Sequence, residues 1–376
     1  MVKKKIKKVN LNLIRKQIDE VDKSILRSLS KRVDLVIAAG ESKKQIGDQS
    51  YYKPDREAQI INALISENKS KLNKNHIKNI YKEIISACFS LEKKIEIFFL
   101  GPKGTYSELA AIDHFGKSAK RTSCSDINQI FLKINEENCF GIVPVENSSE
   151  GSVNQTLDCL QSEELTICGE LELSIEHALL SKSKKLQNIY SVYGHEQALS
   201  QCRLWLGRKI PNAKLISVES SGIAIEKAKK SNNVAAIAHA SNANEFKLKA
   251  LRKNIEDQKN NTTRFLIIGK INANKSGKDK TSILISLDNK PGALSKVLKV
   301  FESNKINLSH IQSRPNKSDK WQYSFFLDFE GHVEDTKVKN LLKKLSSVTQ
   351  TLKLLGSYPK SIRCLILFWI GQIKEF

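Results

Sequence analysis

The sequence predicts a multidomain protein: an all-α N-terminal part, a two-lobed α/β middle and a small C-terminal α+β part. Three observations carry that reading. Apolar residues at 3/4 spacing run through a proline-free stretch from residue 10 to about 45. Short apolar runs alternate with helical ones from 95 to about 271. Strand, helix, strand, strand, helix, strand then follow one another from Thr281 to Leu355. The 376 residues exceed one ordinary core, and 40% hydrophobic residues suffice for two or three.

A net charge of +22 invites a nucleic-acid partner. Only 11 of the 62 basic residues are Arg, however, and Lys is scattered among Asn and Ile over the whole length, which reads as solvated surface. No nucleic acid is expected as a partner. The seven cysteines, at 88, 124, 139, 159, 168, 202 and 364, form no C-x-x-C and no His-associated spacing, so reduced thiols, no metal and a cytoplasmic location are expected. Met1 to Lys8 is basic with no apolar run behind it, and the apolar Cys364 to Ile370 is far short of the ~20 residues a bilayer requires. No membrane is expected, and 359–376 reads as a packed tail or an association patch.

The first helix carries Ile14, Ile18, Val21 and Ile25 on one seam, which continues in heptads through Ser28 and Arg32 to Leu35 and Ala39. A guanidinium therefore sits in the buried register. Lys43 lies eleven residues on and returns to within roughly 20° of the same face. Arg15 is roughly 25 Å away along the axis and about 100° round, so it reaches that pocket only from a second chain. A second helix starts at Pro54-Asp55-Arg56-Glu57, with proline and acids in its first turn. A third runs from about Asn75 to Lys94 and places Cys88 and Glu92 one turn apart on one face. Three helices with four inward basic residues make no normal single-chain core, and a homodimer supplies the missing apolar partner.

Arg15, Arg32, Lys43, Arg56, Glu57 and Glu92 together resemble the active-site set of the all-helical chorismate mutase family. The resemblance implies an intertwined dimer in which each pocket borrows an Arg. It implies that Arg15 and Arg32 clamp the carboxylates of chorismate, Lys43 and Glu92 face the ether oxygen, Glu57 holds a hydroxyl and Arg56 supports them, with Cys88 in the lining. The reaction needs no nucleophile, only a held conformer and stabilised charge on the departing oxygen. The chain departs from the family in Lys53, where an acidic residue is common, and in Glu92, where Gln is common. Glu donates a hydrogen bond only when protonated, so mutase activity is expected to rise as pH falls from 8 towards 5, and Glu92→Gln to flatten the profile.

From Ile95 the period changes. Ile95-Glu-Ile-Phe-Phe-Leu100 reads as a buried strand, Gly101-Pro-Lys-Gly-Thr-Tyr-Ser107 as a turn into a helix N-terminus, and Phe140-Gly-Ile-Val-Pro-Val145 as a strand ending in Glu146, Asn147 and Ser148. Gly194-His195-Glu196 leads to Gln201-Cys202, and Ile255 to Phe265 is a polar loop entering the apolar Leu266-Ile-Ile268. In this order the motifs resemble prephenate dehydratase over roughly 95–270. That resemblance implies a fold like a periplasmic binding protein with prephenate in the cleft, and no cofactor. Loss of carbon dioxide and the ring hydroxyl is driven by aromatisation. Thr263 is expected to polarise the leaving oxygen, Arg264 to clamp a carboxylate and Glu146 to be the acid if burial raises its pKa. Asn147, Ser148, Gln201 and Phe265 are expected to contact substrate. The family usually has Ser where this chain has Gly194, so a donor is expected to be missing there.

The segment 271–280 reads as a linker. Beyond it the order of strands and helices is the ferredoxin-like plan. Asn289-Lys-Pro-Gly292-Ala293-Leu294 and Gln312-Ser313-Arg314-Pro315 resemble the ACT domain of these dehydratases, which implies phenylalanine as effector, its carboxylate on backbone N–H groups at the helix start. Gln312 replaces a common Glu there, which weakens the site for an ammonium group. The expected domains are 1–94, 95–271, 280–358 and the tail 359–376. The segments together imply a bifunctional enzyme acting on chorismate and prephenate. A dehydratase with the helices kept only for dimerisation, or a basic amino-acid-responsive nucleic-acid regulator, are the alternatives.

Overall fold

The computed structural model describes residues 10–45, 52–92, 95–315 and 323–361. The basic start, Lys93 and Lys94, the predicted strand start at Trp321 and the apolar tail from Cys364 lie outside the described residues, as does the side chain of Glu92.

Three helices come first: α1 (Leu11–Gln45), α2 (Pro54–Glu67) and α3 (Lys74–Glu92). Pro54 opens α2 and Asp55 and Glu57 occupy its first turn, as the orphan N–H groups favour. α1 is roughly 50 Å long, packs on α3 and leaves its predicted seam open, with Ile18, Val21 and Ile25 more than half exposed.

The middle of the chain alternates β1 (Glu96–Leu100), α4 (Tyr106–Phe115), β2 (Lys120–Cys124), α5 (Ile127–Lys133), β3 (Cys139–Asn147), β4 (Gly151–Ser152), α6 (Asn154–Ser162) and β5 (Thr166–Ser174). It then crosses into β6 (Ala178–Ser181), β7 (Ser191–Gly194), α7 (Glu196–Gln201), α8 (Arg203–Lys209), β8 (Lys214–Ser217), α9 (Ser221–Ala228), β9 (Val234–Ala238), α10 (Asn242–Glu245) and β10 (Lys249–Lys253). It returns through β11 (Thr262–Gly269). Two sheets result. The first has the order β2-β1-β3-β11-β5 with β4 on β3, and the second β10-β6-β9-β7-β8. The two crossing segments hydrogen-bond to each other, Ile175 N to Asn261 O at 2.8 Å and Ile255 N to His177 O at 3.0 Å.

The last part is β12 (Asp279–Leu287), α11 (Ala293–Ser303), β13 (Leu308–Pro315), β14 (Tyr323–Glu330), α12 (Thr336–Ser346) and β15 (Thr351–Pro359), in one antiparallel sheet of order β13-β14-β12-β15. Its helices cover one face around Val297, Phe301, Leu341 and Leu345. The other face packs onto the first lobe, where Leu284, Phe326, Leu355 and Tyr358 join one core with Val143, Ile167 and Leu266. All nine residues of β12 are buried as a result.

Candidate active sites

The cleft between the two lobes is built where strands of the first lobe end and the crossing segments begin. Thr263 and Phe265 point into it from β11, Asn147 from β3, Gln201 from α7, and Tyr106 from the start of α4. Its cavity volume is about 240 Å³. A chain of polar contacts runs along its floor. The Asn147 amide donates to Thr263 Oγ1 at 2.8 Å and to Asn261 Oδ1 at 3.0 Å. Asn261 Nδ2 donates to Gln201 Oε1 at 3.2 Å, His177 Nε2 lies 2.9 Å from that oxygen, and Tyr106 Oη lies 2.8 Å from His177 Nδ1. Burial holds the His177 imidazole below its ordinary pKa, against the opposing effects of Gln201 and Glu256. The single Tyr106 hydroxyl proton is shared between Glu176 O, also at 2.8 Å, and Nδ1 of a neutral ring that donates from Nε2 to Gln201. Burial also lifts the Tyr106 phenol well above its usual range, so it stays protonated.

Two donors remain for a ligand. Thr263 Oγ1 accepts from Asn147, which leaves its own proton free to point into the cleft. Gln201 Nε2 is buried without a partner among the described residues. Ser148 serves the backbone instead, since its hydroxyl donates to Asn261 Oδ1 at 3.3 Å and accepts from Thr262 N at 2.9 Å, holding the turn before β11. The cleft lining contains no Lys or Arg among the described residues. Helix N-termini line it instead: α4, capped by Thr105, and α9, capped by Ser220, both open into the cavity.

Two expectations for this site are corrected by strand geometry. Successive side chains of a strand point to opposite faces, so Arg264 leaves the cleft that Thr263 and Phe265 enter. Its guanidinium meets Glu170 Oε2 at 2.9 Å, Asp328 Oδ2 at 2.5 Å and Tyr358 Oη at 3.1 Å, and is no free carboxylate clamp. Glu146, beside Asn147 on β3, likewise turns away and lies 3.7 Å from His310 of β13, not in the cleft where an acid is needed. The expected gap at Gly194 also closes, because a Cβ there would meet Leu199 and Ile237 at 3.2 and 3.4 Å and not the cleft. Reading from sequence misses Tyr106, His177 and Asn261 as a connected set. A lone His between Glu176 and Ala178 carries no signal, whereas Tyr106 at a strand-turn-helix junction offers one.

Among the helices, the structure brings together Arg32 and Cys88, with Arg32 Nη1 donating to Sγ at 2.7 Å. Lys43 is half-buried, and Arg15 and Arg56 are exposed. Glu57 departs from expectation. It faces a cavity of about 220 Å³ between α2, α3 and α4, shared with Tyr52, Lys82, Ser86 and His114, because α2 is pinned to the first lobe by Tyr52. Burial raises the Glu57 carboxyl pKa in spite of Lys82 and Lys78. In the C-terminal part, Gly292 adopts φ +81° and ends the turn into α11, whose first N–H groups have no side-chain cap. Ala293 and Leu294 pack on the helix-side core, Asn289 and Ser313 are exposed, and Gln312 Nε2 donates to Ser313 O at 3.3 Å. Arg314 is corrected: it reaches Asp158 of α6 at 2.6 Å and so docks on the first lobe.

The arrangement is that of a chain of enzyme domains with a C-terminal sensor-like module, and comparison with known proteins agrees. Residues 14–93 match chorismate mutase type II, 97–273 match prephenate dehydratase, and 281–347 match the ACT domain. The bifunctional chorismate mutase/prephenate dehydratase of Aquifex aeolicus is 43% identical over 357 residues, covering 94% of this chain and 98% of its own. That of Pseudomonas aeruginosa is 39% identical with the same coverage. A solved prephenate dehydratase from Arthrobacter aurescens, in complex with L-Phe, aligns with a TM-score of 0.65 at 32% identity, covering 71% of this chain and 90% of that one. The chain belongs to the family of bifunctional chorismate mutase/prephenate dehydratases. It is an enzyme with both an isomerase and a lyase domain.

Proposed function

We propose that the chain rearranges chorismate to prephenate in a homodimeric helical domain (1–94) and converts prephenate to phenylpyruvate in the cleft of 95–271. The observation that carries the second step is the Thr263 hydroxyl, aimed by the Asn147 amide and left with a free proton. As the carboxylate departs as carbon dioxide, its electrons enter the ring and expel hydroxide; Thr263 donates a hydrogen bond to that oxygen as its charge develops. Gln201 Nε2 and the N-termini of α4 and α9 receive the two carboxylates in place of Arg264. Two sheets crossed twice by the chain support the periplasmic-binding-protein-like plan, and the order β13-β14-β12-β15 supports the ferredoxin-like plan for 280–358.

The exposed seam of α1 supports the dimer, since so long a helix has no core of its own. Arg15, exposed on α1, then completes the partner's pocket, whose proposed lining is Arg32, Lys43, Cys88 and Arg56, with Glu92 retained from the family resemblance alone. A dehydratase with vestigial helices is favoured by one observation, the turning of Glu57 towards the first lobe. Phenylalanine is the proposed effector of the C-terminal domain at Asn289–Leu294 and Gln312–Ser313, as the uncapped start of α11 and the L-Phe complex of the Arthrobacter protein suggest. The proposed location is cytoplasmic. One tube of full-length protein, followed for chorismate consumption and phenylpyruvate appearance with and without millimolar phenylalanine, tests both activities and the effector. Phenylpyruvate from added prephenate without chorismate consumption would leave only the dehydratase reading.

A further inference from the structure

The guanidinium that leaves the cleft enters a buried ionic cluster shared between domains. From the first lobe come Arg264 of β11 and Glu170 of β5; from the C-terminal sheet come Lys280 and Ser282 of β12, Asp328 of β14 and Tyr358 of β15. Two cations meet two carboxylates, and the side chains of all four are at most 11% exposed. Glu170 is fully engaged, accepting from Arg264, from Lys280 Nζ at 2.7 Å and from Ser361 N at 3.1 Å. Asp328 also accepts from Ser282 Oγ at 2.5 Å, and Tyr358 Oη lies 2.6 Å from that hydroxyl. Burial alone would raise the Asp328 pKa, yet Arg264 and Lys280 hold it below the ordinary carboxylate value.

We infer that Asp328, a residue of the C-terminal sheet, is a positioning residue for prephenate dehydration: by holding Arg264 it fixes the aim of Thr263, one residue earlier on the same strand. The inference rests on the proposed role of Thr263. Alternation ties the two side chains through one Cα–Cα step, and β11 has a register irregularity between Arg264 and Phe265, where regular pairing with β3 is interrupted. Pairing with β5 stays regular there, and the guanidinium held in a fork of carboxylates adds a tie where the β3 side lacks one. A displacement of about 1 Å at a reacting group costs roughly 10²-fold in rate. The seated C-terminal sheet would therefore raise turnover at the site.

Asp328→Asn keeps shape and removes the charge that grips Arg264. At 25 °C, kcat for prephenate is expected to fall at least about 10-fold with KM within about twofold, while mutase activity of the same chain stays unchanged. Tyr358→Phe, which removes only one hydroxyl, is the milder variant should Asp328→Asn not fold, and a smaller fall in kcat with KM retained is expected. A residue serving stability alone would lower the melting temperature and leave kcat of the folded protein untouched; that result in both variants overturns the inference. Thr263→Val separates the two ideas. If it abolishes turnover while Asp328→Asn and Tyr358→Phe do nothing, positioning fails and the Thr263 reading stands. If Thr263→Val turns over within a few-fold of the original, the Thr263 reading fails and takes the positioning with it.

Discussion

Gly356 offers the sharpest test of how the C-terminal sheet meets the first lobe. It lies at an irregularity in the pairing of β12 with β15 and adopts φ +152°, a region L side chains rarely enter. A Cβ there would stand 2.2 Å from Ile167 O and 3.0 Å from the carbonyl carbon and the nitrogen of Ile167. Those are backbone atoms of β5, so no rotamer change relieves the overlap and one strand must move. Backbone strain costs about 1–3 kcal/mol and overpacking about 1–3 kcal/mol more. Gly356→Ala is therefore expected to destabilise by about 2–6 kcal/mol, enough to lower the melting temperature by at least about 5 °C for a unit of this size.

Two controls apportion that loss. Gly277 has φ +95° and nothing within 4 Å, so Gly277→Ala carries strain without overlap; Gly207, on α8 with open space, gains helix propensity as Ala. The assay is loss of prephenate turnover with temperature in the full chain, read beside mutase turnover. Gly356→Ala should inactivate the dehydratase at clearly lower temperature than Gly277→Ala, and spare the mutase. Equal midpoints for the two variants would show that β15 and β5 are not in contact in solution.

Three further outcomes come from the same geometry. Burial, aided by Lys82 and Lys78, holds His114 well below its ordinary pKa, and burial also lowers His177 and His239. A depressed folded value means that this stability is fully present above pH 6.5 and is lost as pH falls, by up to about 1.4 kcal/mol per pH unit per histidine; urea midpoints should drop between pH 7.5 and 5.5, and a rise would contradict the depressed values. Asp257 accepts from Leu204 N and Trp205 N at 2.8 and 2.9 Å, so Asp257→Ala should cost about 1 kcal/mol as a lost helix cap, measured by chemical denaturation; no change would mean the cap is idle. Gly207→Ala should stabilise by about 0.5–1 kcal/mol, and destabilisation in the same denaturation assay would place a close neighbour against α8.

What is legible in the sequence is what local periodicity encodes. The run from residue 10 to 45 is one helix, Val234–Ala238 is a strand, and the C-terminal elements fall within a few residues of their expected bounds. Thr263, Asn147, Gln201 and Phe265 do converge in one cleft. The residues beside them depart from expectation for one reason: an alternating strand shows which side chains share a face, but not which face meets the substrate. Arg264 and Glu146 carry the right chemistry on the wrong face. Asp257 belongs to a motif that resembles an active site, yet its carboxylate caps α8, and its own N–H holds Gln201 O at 2.7 Å. His177 is invisible in the sequence because its place on a crossing segment exists only after both lobes have formed.

The strand β12 shows why the docking of the C-terminal sheet is not readable either, and what that implies physically. Lys280, Ser282 and Ser286 alternate with Thr281, Ile283 and Ile285, close to the pattern of a sheet with one face in water, and Leu284 interrupts the polar side. All six are nonetheless buried, the polar side chains against the first lobe or its neighbours. The docked face is mixed, since beside these polar side chains Leu284, Phe326, Leu355 and Tyr358 join the core of the first lobe. Replacing buried ion pairs by apolar side chains often stabilises a protein, whereas breaking one side of a pair is costly. The polar cluster around Arg264 therefore gives less adhesion than an apolar contact of equal area would, but a strict geometric register. With the apolar contacts supplying adhesion and the ionic cluster supplying register, the C-terminal sheet is seated in one place on the strand that carries Thr263.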